Sequence, residues 1–239
     1  MDIAKRRIVR DTKQVIEINK TMLESQGIYY IPSDSNINYG TALLVGQPDT
    51  PYFGGYYFFS VEFPTDYPFS PLKVRSLTQD GMTRFNPNMY IQGKVCLSIL
   101  NTWHDGPQWT GVQTLESVLL AIMSDVLCAN PLENEPAFRD YGQSPEAVLY
   151  NRLVWHSNVK TAILKNLCDP PDFAKPFHSI MHTVFEQNKD ALYKRIADSS
   201  DVDGKIERCR VFQFTVSYAF LDMLQKLKGI QNLKPESHT

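Results

Sequence analysis

Long apolar runs are missing from this chain. No stretch approaches the roughly 20 consecutive apolar residues that a membrane-spanning helix needs, and no membrane partner is expected. The start, "MDIAKRRIVRDTKQ", has early basic residues but no apolar segment behind them, so it does not read as a secretory signal. No lipidation motif shows at either end. Net charge is nearly absent too. The 24 Lys and Arg against 26 Asp and Glu leave −2, which argues against a general polyanion binder, and no nucleic-acid partner is expected. Cysteines are few: Cys96, Cys128, Cys168 and Cys209, spaced by 32, 40 and 41 residues. No C-x-x-C pair exists among them, so no metal site is expected. Without a secretory signal the expected setting is reducing, cytoplasmic or nuclear, with four free thiols, three of them buried as small hydrophobes. Repeats and low-complexity tracts are absent as well, which excludes a solenoid.

What is present is enough for a large core. The chain has 239 residues, 43% of them hydrophobic. Ile8, Val15, Ile18, Met22 and Leu23 recur at helical spacing, predicting a helix over 3–26 that stops at Gly27. Its other positions carry Lys5, Arg6, Arg7, Arg10, Lys13 and Lys20, either a solvated face or a docking surface. Strands are expected at 28–32, 39–47, 55–63 and 71–77, the third rich in aromatic and β-branched residues. Short Gly- and Pro-rich gaps favour an antiparallel meander over parallel crossovers. Residues 78–111 show almost no regular pattern, yet carry Phe85, Met89, Val95, Leu97, Leu100, Trp103 and Trp109. A loop of that length is uncommon, and one this apolar must pack. Helices are predicted at 112–129, 144–167, 177–197 and 205–228, with breakers at 130–136 and 169–176 and a frayed end over 230–239. This order gives an α+β fold.

Within the long loop, "NPNMYIQGKVCLSIL" places Cys96 on an ordered irregular segment. Together, "GGYYFFSVEFPTDYPFSPLKV" and "RFNPNMYIQGKVCLSIL" closely resemble the ubiquitin-conjugating enzyme family. Pro64, Tyr67, Pro68 and Pro71, then Pro87–Asn88 eight residues before Cys96, carry the likeness. It spans residue 3 to about 168. The "LNTWHDGPQW" insertion, Asn86 before Pro87, and the residues beyond 168 look most like the Z-type members. The resemblance implies a leading helix, a four-stranded meander, an ordered active-site loop and C-terminal helices. The expected organisation is a conjugating core over 1–168 and a helical extension over 169–239 packed back on it.

Roles follow from the resemblance. Cys96 would accept ubiquitin, or a ubiquitin-like modifier, from an activating enzyme as a thioester and pass it to a substrate lysine or a ligase. Asn88 would stabilise the oxyanion or pin the loop by side-chain to backbone bonds, or both. Asn86 stands where most of the family has histidine and reads as a local hydrogen-bonding residue. In "NPLENEP", Glu135 matches the acid that helps receive the incoming lysine, with Asn134 as the alternative register. Arg6, Arg10, Phe69 and Thr110–Gly111 match the surface that binds ligases. The usual Ser-Pro-Ala after the tryptophan is Thr-Gly-Val here, which leaves the choice of ligase open. His104 and Asp105 are expected as exposed turn residues, not a protease pair. No cofactor is implied. The competing reading is an inactive conjugating-like module that binds ubiquitin or a ligase.

Overall fold

The computed structural model describes residues 3–230. The leading helix is broken once: α1 (Ile3–Lys13) runs through a π-helical turn at Gln14–Ile18 to α2 (Lys20–Ser25), and Gly27 follows at φ 77°. A backbone with φ that positive suits glycine, which explains the sharp exit into the sheet. Four strands, β1 (Ile28–Pro32), β2 (Tyr39–Val45), β3 (Tyr56–Glu62) and β4 (Lys73–Ser76), pair in sequence order, all antiparallel. Strand β3 reads as an unbroken apolar run because both its faces are covered. Tyr57 donates to Asn158 on one side, while Tyr56 reaches the Met181 carbonyl and Phe58 packs edge-on against Phe173 and Phe177 on the other.

After the long loop, α3 (Leu115–Ala121) starts in a capping box between Thr114 and Ser117 and runs into a π-helical turn, Ile122–Val126. Next, α4 (Pro145–Ser157) begins with Ser144 as N-cap and Pro145 in its first turn, and continues as a π-helical stretch to Lys165 and then α5 (Asn166–Cys168). Helix α6 (His178–Asp198) lies beyond the "DPPDFAKP" breaker. Phe177, Val184 and Phe185 are buried in the shared hydrophobic core, and Phe173 and Ile180 pack against it half-buried.

The expected helix over 205–228 is corrected. Residues 206–217 form a hairpin, β5 (Ile206–Cys209) with β6 (Phe214–Ser217), and only α7 (Phe220–Ile230) is helical. The physical reason is the period. Cys209, Phe214, Val216 and Tyr218 are buried while Arg208, Thr215 and Ser217 are exposed, an alternation of two. Consequently Phe212 sits in the turn and Leu221 is exposed, so they do not share one apolar helix face with Phe214, Phe220 and Leu224. The segment beyond 169 is thus a mixed extension rather than a helical one. Its expected frayed end, 230–239, lies past Ile230 outside the described residues. Among the thiols, Cys168 is exposed, against the expectation of three buried ones.

Candidate active site

The loop after β4 is ordered by its own apolar side chains. Phe85, Met89, Val95, Leu97, Leu100 and Trp109 are all buried, and short bridges join Asn86 to Met89 and Met89 to Val95. Cys96 is 3% exposed, and its backbone N–H donates to the Asn88 carbonyl at 2.8 Å. The Thr102 hydroxyl fastens both flanks of the cysteine, accepting from Leu97 N at 2.9 Å and donating to the Val95 carbonyl at 2.8 Å. The inserted loop closes on itself, since the Asn101 side chain accepts from Trp109 N at 2.8 Å.

Asn86 is fully buried and does the pinning. Its amide nitrogen donates to the Val126 carbonyl at 2.8 Å, and its oxygen accepts from Asn88 N at 2.7 Å and from the Asn134 amide at 3.2 Å. Asn88 differs. Its N–H and carbonyl are both engaged, but its half-buried side-chain amide makes no hydrogen bond among the described residues. That amide belongs to a cleft of about 240 Å³ lined also by Leu97, Ser98, Trp103, Asp105, Asp125, Glu133, Asn134 and Arg139. A conformationally fixed residue with a spare donor at a cleft can stabilise negative charge that develops there.

The other three thiols are set against nucleophilic work. Burial pushes Cys128 up to about 11, and burial likewise raises Cys168 and Cys209.

The opposite end of the molecule edge is also built by the loops. Asp11, buried on α1, takes ion pairs from Arg7 at 2.9 Å and Arg10 at 3.3 Å and a hydrogen bond from the Tyr67 hydroxyl. Arg7 reaches on to the carbonyls of Gly111 (2.9 Å) and Gln113 (2.7 Å), and Trp109 Nε1 donates to the Pro68 carbonyl at 2.8 Å. The network draws α1, the Phe69 loop and Thr110–Gly111 together, leaving Phe69 79% exposed and Arg6, Arg10, Thr110 and Gly111 exposed.

The signature described as "Ubiquitin-conjugating enzyme" matches residues 7–162. The chain belongs to the ubiquitin-conjugating enzyme family. Relatives named "Ubiquitin-conjugating enzyme E2 Z" include one from Xenopus tropicalis, 32% identical over 235 residues, covering 97% of this chain and 73% of that protein. Its counterpart from Homo sapiens is 34% identical over 183 residues, 75% of this chain and 50% of that protein. That from Danio rerio is 35% identical over 225 residues, 94% of this chain and 67% of that protein. The chain therefore spans only half the length of the human relative.

As a ubiquitin-conjugating enzyme the chain is a transferase, and the family's general partners are ubiquitin and ubiquitin ligases. Of the residues singled out from the sequence, the fold brings Cys96, Asn88, Asn86 and Asn134 together. Glu135 is half-buried and caps the short 3₁₀ turn Pro136–Phe138, outside the lining of the cleft. The carboxylates that do line it are Asp105, Asp125 and Glu133. Asp105 was expected only as an exposed turn residue. It is exposed, and it also pairs with Arg139 at 3.0 Å across the cleft. Sequence reasoning passed over Asp125, Glu133 and Arg139. Glu133 lies within the "NPLENEP" breaker and Arg139 three residues beyond it, both within a few residues of Glu135.

Proposed function

We propose that this chain accepts ubiquitin as a thioester on Cys96 and transfers it to a lysine or onward through a ligase. In the first step the Cys96 thiolate attacks the activated carbonyl held on an activating enzyme, whose own thiolate leaves. In the second, a lysine amine attacks the Cys96 thioester, Cys96 leaves as thiolate, and the amine's extra proton passes to solvent or a nearby carboxylate. The observation that carries the reading is the bonded pair of Cys96 and Asn88, with a spare Asn88 amide at the cleft. Asn88 then donates to the oxyanion formed when the lysine attacks. Asp105, Asp125 and Glu133 line the route for a lysine ammonium, and Asn134 lines it in the position first considered for Glu135. Arg6, Arg10, Phe69, Thr110 and Gly111 form the face on which activating enzyme and ligase dock, Phe69 supplying the aromatic anchor. The setting is a reducing compartment, cytoplasmic or nuclear.

The burial of Cys96 favours the second reading, an inactive module that binds ubiquitin or a ligase. A loading assay separates the two. The protein is mixed with an activating enzyme, ATP and ubiquitin, and the products are run on reducing and non-reducing gels. A thiol-sensitive adduct that Cys96→Ser converts to a stable oxyester, or abolishes, supports the carrier. Ubiquitin binding by folded protein without any adduct supports the module.

A further inference from the structure

Arg84 and the hairpin of the extension connect physically to the active-site loop. The Arg84 guanidinium donates to two consecutive carbonyls, Asn86 O at 3.2 Å and Pro87 O at 2.5 Å. The second of these belongs to the peptide whose N–H is Asn88 N, itself held by Asn86. The peptide entering Asn88 is thus gripped from both sides. The guanidinium in turn lies 3.6 Å from the ring centroid of Tyr90 and 5.4 Å from that of Phe212 at the hairpin turn. Phe212 also packs on Tyr150, ring centroids 5.5 Å apart, and the Tyr150 hydroxyl donates to the Arg84 carbonyl. The base of the hairpin is fixed to α4 by a two-bond pair between Arg152 and Glu207, at 2.7 and 3.0 Å, with the Tyr218 hydroxyl on the same carboxylate.

We infer that Arg84 is a positioning residue for acyl transfer, and that Phe212 of the extension holds it over the Asn86–Pro87 carbonyls. This rests on the reading of Cys96 as carrier and Asn88 as oxyanion donor. A guanidinium suits the task because its planar fork spans two carbonyls while its flat faces stack on aromatic rings, a combination that the point charge of a lysine ammonium does not reproduce. An oxyanion donor works only when its place is fixed before the charge develops, and a misplacement of about 1 Å can cost roughly a hundredfold. The extension would therefore act on the transfer chemistry itself and not only on partner choice.

The test is single-turnover discharge. Full-length wild type, Arg84→Lys, Arg84→Ala, Phe212→Ala and Phe212→Tyr are loaded with fluorescent ubiquitin, freed of ATP, and discharged onto a series of free-lysine concentrations. The Arg84 variants are expected to lose roughly ten- to hundredfold in the limiting discharge rate, and Phe212→Ala a smaller part of that, with the half-saturating lysine concentration little changed. Any loss in loading is smaller than the loss in discharge. Phe212→Tyr, which keeps the ring, restores the rate. Adding Phe212→Ala to Asn88→Ala costs nothing beyond Asn88→Ala, because the two act on one donor. Wild-type discharge by the Arg84→Lys and Phe212→Ala variants overturns the inference, as does a loss that tracks the thermal midpoint or adds fully to that of Asn88→Ala. Should Arg84→Ala not fold, Arg84→Lys and Phe212→Ala decide. Failure of the wild type itself to load overturns the underlying reading and this inference with it, a result distinct from the others on the same gel.

Discussion

Two asparagines two residues apart should fail in opposite ways. Asn86 is fully buried and its side chain satisfies the Val126 carbonyl and the Asn88 N–H, besides meeting the Asn134 amide. In Asn86→Ala the buried Val126 carbonyl and the part-buried Asn88 N–H both lose their partner. A buried, unsatisfied group costs about 1–3 kcal/mol and a part-buried one somewhat less, so the loss is about 2–5 kcal/mol. Against a total stability of about 5–15 kcal/mol that is severe. At roughly 2–4 °C per kcal/mol for a chain of this size, the thermal midpoint falls by roughly 4–20 °C. Asn88→Ala removes an amide that makes no hydrogen bond among the described residues. Its stability should stay within about 0.5 kcal/mol of wild type, while discharge of loaded ubiquitin to lysine falls roughly 10²- to 10³-fold, the cost of one oxyanion donor.

Thermal melts and single-turnover discharge on the two variants read both quantities. Equal destabilisation by both would return Asn88 to the role of a loop pin. An Asn86→Ala midpoint within about 2 °C of wild type would refute the assignment of the pinning to Asn86, since no arrangement of two orphaned backbone groups is that inexpensive.

Two further outcomes follow from the electrostatics. His156 is buried edge-on against the stacked rings of Tyr218 and Phe220 and accepts from Ala219 N at 3.3 Å, and burial, then the charge of Lys160, hold its pKa down to about 4. The unfolded chain takes up this proton near 6.5, so stability is intact above that pH and drains away as pH falls toward 4, by at most about 3 kcal/mol. Urea midpoints followed across that window should flatten in His156→Gln, which keeps an acceptor but does not titrate. At the cleft, Asp105→Asn breaks an exposed pair with Arg139 and should leave stability within about 0.5 kcal/mol of wild type. It should raise the half-saturating lysine concentration by about fivefold at most, the worth of about 1 kcal/mol for one charge in a wet site, and the effect should vanish at high salt.

The core of the fold was legible because its period and punctuation are local. The "GYYFFSVEF" run, the Gly27 stop, and Ser144–Pro145 opening α4 each state their structure within a few residues. Cys96 and Asn88 were legible for a different reason, through the likeness of a whole motif. The hairpin at 206–217 was missed because "KIERCRVFQFTVSYAF" places apolar residues at intervals that serve either period over so short a stretch. Burial of Cys209, Phe214, Val216 and Tyr218 decides for strands only once α4 is there to be packed against.

The acidic wall of the cleft was hidden by a related limit. Asp105, Asp125 and Glu133 come from three separate segments, and each alone reads as a solvated carboxylate. Only the closure of the inserted loop by Asn101 on Trp109, and the grip of Asn86 on the α3 end and on Asn134, bring them around Asn88. The same long-range packing makes Arg84 more than a turn residue, because its ring partner Phe212 lies 128 positions away in the chain. Likeness of motif finds Cys96 and Asn88. The residues that aim them are defined by contacts between segments, and they belong to the part of the molecule where local pattern is weakest.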